Sequence, residues 1–214
     1  PLAPSFPSLP LIPSLPSLFD YNTPSWILPK PIWGTCPPFI SIWRTTGSSE
    51  TITLPFKIGG TYSGTIDWGD GNTSVNSYDN RAHTYDVPGD YTITINGTVI
   101  GFAYVFEDIA TGVTLKLIEI KQWGNQFNLG NDYSFGRFRE CSNLTLTGVT
   151  DTLNLNGTPY IAGMFLGCSN ITTIPNINNW DVSNMTDISF MFRETQFNSD
   201  ISNWDVSNVN SMSG

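Results

Sequence analysis

The stretch Asn179-Trp-Asp-Val-Ser-Asn184 recurs unchanged as Asn203-Trp-Asp-Val-Ser-Asn208, 24 residues further along the chain. Looser copies precede it, because Phe138, Phe165 and Phe192 are spaced by 27 residues. Periods of about 20 to 50 residues are typical of repeat proteins, in which each unit buries its apolar side only against its neighbours. The sequence therefore predicts a solenoid of at least three units.

Within the repeats, apolar residues recur at steps of two or three and are separated by Asn, Ser, Thr and Asp. This spacing fits neither an amphipathic helix nor a simple alternating strand. It favours short strands and tight turns, with apolar side chains inside and Asn and Ser side chains bonded to turn backbone. The inward residues are predicted to include Ile174, Ile177, Trp180, Val182, Met185, Ile188 and Met191.

The repeats also carry a family resemblance. The segments Met164-Phe165-x-x-Cys168-Ser-Asn-Ile and Trp180-Asp-Val-Ser-Asn-Met resemble the BspA-like leucine-rich repeats of bacterial surface lipoproteins and of some viruses. The resemblance covers roughly residues 115 to 214 and implies a surface-exposed, non-catalytic recognition or scaffold role. The candidate recognition surface on the repeat turns is Asp181, Asn184, Asp187, Asp205 and Asn208, although their regular spacing equally suits a structural hydrogen-bond ladder.

The last repeat is predicted to be incomplete, because Met212-Ser-Gly214 parallels only the start of Ile188-Ser-Phe190. A repeat array that ends inside a unit exposes apolar surface unless something covers it. We therefore expect either that the natural chain continues or that a partner covers this end.

A second unit precedes the repeats. Its β-runs at residues 51–56, 62–68, 91–95 and 99–106 are separated by Gly, Asn and Asp turns, which is typical of an antiparallel sandwich. The motifs Asp67-Trp-Gly-Asp-Gly71, His83-Thr-Tyr85 and Pro88-Gly-Asp-Tyr91 resemble the polycystic-kidney-disease (PKD) type of immunoglobulin-like domain. That resemblance implies architectural motifs, with the Tyr91 hydroxyl anchoring the sandwich edge to nearby backbone.

Few residues in the chain suggest chemistry. Asp67 and Asp70 are weak candidates for a calcium site or a hydrolytic pair, but we favour turn capping, with Gly69 and Gly71 at positive φ. His83 is expected to pack and hydrogen bond at a strand end. No nucleophile motif such as Gly-x-Ser-x-Gly is present. We therefore predict no enzyme activity, no cofactor and no metal.

The N-terminal arm has proline at every third position from Pro1 to Pro16. Because polyproline II has about three residues per turn, the apolar residues between these prolines form one stripe. An exposed apolar stripe is an association surface, so we favour docking over a solvated spacer. The stripe consists of Ala3, Phe6, Leu9, Ile12, Leu15 and Leu18.

We predict a mainly β chain in three parts. Residues 1–35 form the arm and linker, residues 36–110 the sandwich, and residues 111–214 the leucine-rich-repeat-like solenoid. Linker-like composition extends from residue 19 to residue 49. Cys141 and Cys168 occupy equivalent repeat positions and are expected to be small buried residues, whereas Cys36 lies in the linker.

The composition bears on the partners. A net charge of −9 argues against nucleic acid, which requires a basic face. No apolar run approaches the ~20 residues of a membrane span, so membrane insertion is not expected. The expected partners are proteins, namely a capsid, tail or other scaffold through the arm, together with a host surface protein or glycan. We also expect a homo-oligomer, for which a trimer is one option.

The leading hypothesis is a non-enzymatic structural and recognition protein on a particle surface, such as a phage or virus appendage or decoration protein. Its location would be the virion surface or the extracellular side of a cell. Two alternatives stay open. One is a fragment of a bacterial cell-surface adhesin, and the other is an accessory region of a secreted hydrolase.

Overall fold

The computed structural model describes residues 36–104, 108 and 111–214. Residues 36–214 form one compact unit. The predicted docking stripe, from Ala3 to Leu18, lies outside the described residues.

In the described residues, ten strands make up three sheets. The first sheet has the order β5-β4-β7-β1-β9, the second β10-β8-β3, and the third β2-β6. All pairings are antiparallel except that of β10 with β8. The strands are β1 (Phe39–Thr45), β2 (Glu50–Thr53), β3 (Phe56–Tyr62), β4 (Thr65–Asp67), β5 (Thr73–Val75), β6 (Ala82–Tyr85), β7 (Gly89–Asn96), β8 (Val99–Phe102), β9 (Leu117–Gln122) and β10 (Phe127–Asn128). Two short 3₁₀ helices occupy Val113–Lys116 and Ile177–Asn179.

The prediction of a mainly β chain is confirmed. The linker-like interpretation of residues up to 49 is wrong for β1, which lies inside the five-stranded sheet between β7 and β9. Its sequence alternates, so that Phe39, Ser41 and Trp43 are buried while Arg44 is exposed. Such alternation is the signature of a strand with one covered face. In the part of the chain that the structure describes, no helix is long and apolar enough to cross a membrane.

The predicted tyrosine anchor is confirmed. The Tyr91 hydroxyl donates to the backbone oxygen of Val87 at 2.6 Å, four residues upstream. Tyr85, buried beside it, donates its hydroxyl to the backbone oxygen of Trp68 at 2.8 Å. The rings of these two tyrosines stack with their centroids 3.9 Å apart. The strand edge and the turn after β4 are therefore tied to one aromatic cluster.

Residues 130–214 wind into three stacked coils and a short segment stacked on the third, which we number by their ranges: coil 1 (130–156), coil 2 (157–183), coil 3 (184–207) and the partial coil 4 (208–214). Backbone hydrogen bonds join each coil to the next. Phe138 N donates to Met164 O at 2.8 Å, and Phe165 N donates to Met191 O at 2.9 Å. Further along, Phe190 N donates to Ser213 O at 2.7 Å. The repeated sequence therefore produces a repeated backbone pairing.

Strand β9 joins the coils to the five-stranded sheet. One of its edges pairs with β1. Its other edge meets coil 1, where Thr145 N donates to Ile118 O at 3.0 Å and Ile120 N donates to Thr145 O at 3.3 Å. The boundary predicted at residue 110 stays a prediction. The strand that follows this boundary is nevertheless shared by the sheet and the coils.

The core runs through the sheets and the coils without interruption. In the coils its axis is a column of phenylalanines. The Phe165 ring stacks on Phe138 with a centroid distance of 5.6 Å and on Phe192 at 6.0 Å. Cys141 and Cys168 lie beside this column as buried free thiols, as predicted, and Cys36 is exposed.

Replacing the middle ring of this column is expected to destabilise the protein strongly. Phe165→Ala leaves a cavity between two rings, and such truncations cost about 3–5 kcal/mol. Phe135→Ala, at a ring that is 39% exposed, serves as the matched control. Urea unfolding followed by tryptophan fluorescence measures both variants. Equal losses in the two variants would contradict the role of the column.

Candidate functional site

A groove lies where the three-stranded sheet meets the coils. Its volume is about 630 Å³, which falls within the range of about 300–1,000 Å³ typical of ligand sites. One side is formed by β3 and β8, and the other by the loops around β10 and the turn from coil 1 to coil 2. The lining consists of Lys57, Ile58, Gly59, Gly60, Thr61, Thr98, Ile100, Gly101, Asn125, Gln126, Asn128, Gly130, Asn131, Asp132, Asn154, Asn156 and Gly157.

A bulge in β3 forms one wall of the groove. Phe56 pairs with Phe102 and Thr61 pairs with Ile100, so residues 57–60 stand opposite Gly101 alone. The Tyr62 hydroxyl lies within hydrogen-bond distance of both carbonyl oxygens at the base of the bulge, 2.8 Å from Lys57 O and 2.7 Å from Gly101 O. The bulge carries Ile58, which is 82% exposed. The wall is therefore a fixed irregularity of the kind often found next to binding sites.

The opposite wall is held by Asn128. Its side-chain nitrogen donates to the backbone oxygens of Asn154 and Asn156, both at 3.0 Å. Its side-chain oxygen accepts from Gly130 N at 2.7 Å. A single amide thus fixes two loops. The preceding loop is fixed by Asp151, whose carboxylate accepts from Trp123 N at 2.8 Å and from Gly124 N at 2.7 Å.

Three amide side chains along this wall have no hydrogen-bond partner among the described residues. Asn125, Asn131 and Asn156 are exposed, and no hydrogen bond joins their side-chain amides to any described residue. Each amide carries two N–H donors and one acceptor oxygen. The groove therefore offers a row of polar groups that are free to bind a ligand.

A small charge network lies at one end of the groove. The Lys57 ammonium contacts the carboxylate of Asp132 and the hydroxyl of Ser134. Burial and the nearby Arg137 lower the pKa of Lys57. The buried Arg137 guanidinium contacts Asp132 Oδ1 at 2.7 Å and donates to Leu129 O at 2.5 Å. Burial lowers the pKa of Arg137 to about 10. This network fixes the loop after β10.

The residues predicted as a recognition surface take part in turns. Asp181 Oδ1 accepts from Ser183 N at 3.1 Å, and Asp205 Oδ1 accepts from Ser207 N at 3.0 Å. Asp187 Oδ1 accepts from Ser189 N at 2.8 Å. These contacts are Asx turns, which replace backbone hydrogen bonds with carboxylate bonds.

The two predicted asparagines differ. Asn208 donates its side-chain nitrogen to Ser183 O at 2.7 Å, 25 residues upstream, and so links successive repeats. Asn184 is exposed, and its amide contacts none of the residues that the structure describes. Asp181, Asp187 and Asp205 thus bond to backbone two residues further on, and Asn208 bonds to the preceding repeat. A ladder that joins the aspartates of successive repeats stays a prediction. A recognition role for these five residues stays a prediction.

Asp67 and Asp70 form the predicted turn. Asp67 Oδ1 accepts from Gly69 N at 2.9 Å, and Asp70 Oδ1 accepts from Asn72 N at 3.0 Å. Gly69 and Gly71 have φ values of 80° and 92°, so the expectation of turn capping is confirmed. Among the described residues, no group of three or more His, Cys, Asp or Glu side chains is arranged to hold a metal ion.

His83 packs as predicted. Its ring stacks on Trp68 with centroids 5.1 Å apart, and its Nε2 lies 2.7 Å from Asp70 Oδ2. Burial disfavours ionisation of Asp70, but the hydrogen bonds from His83 and Asn72 outweigh it and lower the pKa of Asp70 from 3.8 to about 2. The pair stabilises the turn against the sheet.

The groove was not found from the sequence. Its residues come from four separated segments, which only the fold brings together. The sequence feature that points to the groove is a spacing of asparagines. Asn125, Asn128 and Asn131 recur at every third position, and Asn154 and Asn156 follow about one repeat later. In a chain this rich in Asn, that spacing is indistinguishable from turn chemistry.

The comparisons with known proteins cover the coils only. Residues 136–214 match a family described as "Mycoplasma protein of unknown function, DUF285". No curated protein and no solved structure matches the chain. The similarity therefore supports a repeat region shared with other proteins and assigns no activity to it.

The first prediction from this geometry concerns pH. Because the folded-state pKa of Asp70 is lowered to about 2, its stabilising contribution is complete above the unfolded pKa near 4. It is lost as the pH falls towards 2. Asp70→Asn is expected to lose less stability over this interval than the wild type. Thermal melts at stepped pH measure the difference, with the exposed Asp86→Asn as control. Equal pH slopes for the wild type and Asp70→Asn would contradict the assignment.

The second prediction concerns the turn hydrogen bonds of Asp181 and Asp205. The double variant Asp181→Ala with Asp205→Ala is expected to melt at a lower temperature than the wild type, because alanine cannot accept the turn hydrogen bonds. Asn at both positions keeps an acceptor oxygen and should melt close to the wild type. Differential scanning calorimetry distinguishes them. If the alanine variant melts like the wild type, the carboxylates are not structural and their recognition role gains support.

Proposed function

We propose that this chain is a non-enzymatic structural and recognition protein displayed on a particle surface, as an appendage or decoration protein of a phage or virus. The observation that carries the proposal is the stack of coils. Its phenylalanine column lies inside, while its outer turns are polar and closed by their own side chains. Such a stack is a rigid support for lateral binding surfaces.

The finer family assignments belong to the same proposal. We assign the coils to the BspA-like leucine-rich repeats on the 27-residue spacing of inter-coil hydrogen bonds and on the buried cysteines in equivalent positions. We assign the unit before them to the PKD type on three contacts: the Tyr91 anchor, the bond of Tyr85 to Trp68, and the pairing of His83 with Asp70.

Docking is assigned to the N-terminal arm. Its apolar stripe, from Ala3 to Leu18, cannot be buried within a polyproline II rod, because such a rod has no interior. A capsid, a tail or another scaffold protein would cover the stripe. Copies of the same arm gathered around a symmetry axis would also cover it, and the proposed oligomer, for which a trimer is one option, follows from this arrangement.

A bacterial cell-surface adhesin is the second candidate. One observation favours it: the family that matches the coils is named after Mycoplasma, which is a bacterium. In this alternative the same coils and groove would face a host surface. The two candidates share the recognition role and differ in what carries the protein.

The arm and the display are tested together in the virus or cell that encodes the chain. A tag placed after Gly214 is expected to copurify with intact particles and to bind antibody on their surface. The variant carrying Phe6→Ser, Leu9→Ser and Leu15→Ser should be lost from the particles by about tenfold or more, because it removes the bulk of the apolar stripe. Immunoblots and immunogold electron microscopy give both readouts.

The control is a variant on the polar stripe of the same arm, with Ser5→Asn, Ser8→Asn and Ser14→Asn, which should incorporate normally. Normal incorporation of the apolar-stripe variant contradicts docking through the arm. A wild-type tag that is found only in the soluble fraction contradicts surface display, and a tag found on cell envelopes favours the adhesin.

A further inference from the structure

We propose that the groove between the three-stranded sheet and the coils binds a neutral oligosaccharide. The inference rests on the proposed recognition function and gives it a site and a ligand class. It is carried by three features of the groove: free amides, balanced charge, and a wall that combines exposed aliphatic side chains with glycine backbone.

The amides supply the hydrogen bonds. Each sugar hydroxyl is both a donor and an acceptor, and neighbouring hydroxyls form pairs that a planar amide can meet with its oxygen and its N–H₂ group. Asn125, Asn131 and Asn156 line the groove, and their side-chain amides have no hydrogen-bond partner among the described residues. A ligand rich in hydroxyl groups is the one that uses both functions of each amide.

The backbone that carries these amides is fixed before any ligand arrives. The Asn128 side chain accepts from Gly130 N, just before Asn131, and donates to the backbone oxygen of Asn156. Asn156 N also donates to Asn154 Oδ1 at 2.9 Å. The loop that carries Asn125 is held by Asp151. Prior ordering reduces the entropy lost on binding.

The charge of the groove argues for a neutral ligand. Among the described residues, only Lys57 and Asp132 bring charge to the lining, and they contact each other. Arg137 lies behind them, fully buried, and also contacts Asp132. A phosphate or an acidic sugar would have to compete with Asp132 for these cations. A strongly cationic ligand finds only a carboxylate that is already paired.

The β3 wall suits the C–H faces of a sugar ring. Ile58 is 82% exposed and Ile100 is 39% exposed, so both offer apolar surface beside the polar wall. Gly59 has open space where a side chain would begin, which lets a ligand approach the backbone closely. A groove with one polar wall and one partly apolar wall matches the two kinds of surface that a sugar ring presents.

A peptide is the less favoured occupant. The usual way to bind an extended peptide is to add a strand to a free sheet edge, which needs regularly spaced backbone groups. Strand β3 lies at the edge of its sheet. Its four-residue bulge, from Lys57 to Gly60, interrupts the regular spacing of its backbone hydrogen-bonding groups. The hydrogen-bonding groups that remain belong to side chains of the opposite wall.

The purified chain is titrated with maltohexaose, cellohexaose, chitohexaose and mannohexaose. Each glycan is added up to about 10 mM, because this concentration detects single-site affinities in the millimolar range. Binding is followed by NMR shifts of the side-chain amides in the wild type and of the backbone amides that line the groove in every variant. At least one glycan is expected to give saturable shifts at Asn125, Asn131 and Asn156. Raising the salt from about 50 to about 500 mM should leave the affinity unchanged, because a neutral ligand is not screened.

The triple variant Asn125→Ala, Asn131→Ala, Asn156→Ala should bind the same glycan at least about tenfold more weakly, since it loses several hydrogen bonds. The matched control replaces Asn170, Asn179 and Asn210, which are exposed amides of the coils outside the groove. Circular dichroism confirms folding, and the single variants replace the triple one if it does not fold.

Three results would overturn the proposal: no saturable shift with any of the four glycans, shifts that persist in the triple variant, or groove shifts produced only by acidic glycans or by an extended peptide library. None of them affects surface display, which is measured on particles with the tagged chain. Failure of the glycan assignment and failure of the proposed function are therefore distinguishable.

Discussion

Each coil pairs part of its backbone within its own turns and part with the coil beside it, and the second kind of pairing shapes the repeat region. Between coils, this pairing includes the hydrogen bonds from Phe138 N to Met164 O and from Phe165 N to Met191 O. Coil 1 forms backbone hydrogen bonds of the same kind with Ile118 and Ile120 of β9. Because β9 is also the partner of β1, the sheet acts as the template on which the stack begins, and one core serves both.

The sequence predicted what depends on local repetition or local motifs. The 24- and 27-residue spacings predicted the recurrent units, and Pro88-Gly-Asp-Tyr91 predicted the anchor of Tyr91 to backbone, which lies only four residues away. The prediction was wrong for β1, because flanking prolines hid an alternating strand whose partners, β7 and β9, are remote in sequence. Pairing between distant strands leaves no local mark.

The groove illustrates the same limit. Its asparagines and glycines had an adequate structural explanation from sequence, as residues of turns. Only the fold separates Asn128, whose amide is fully used in holding loops, from Asn131, whose amide has no partner in the described structure. Two identical residues three positions apart thus have different roles, and composition cannot distinguish them.

The position of β9 between sheet and coils also bears on how such proteins diversify. A duplicated unit of 27 residues inserted after coil 2 would extend the array and leave the junction untouched, because the groove draws nothing from coils 3 and 4. If the groove binds the proposed ligand, the length of the array and the chemistry of the binding site are therefore separable by gene duplication.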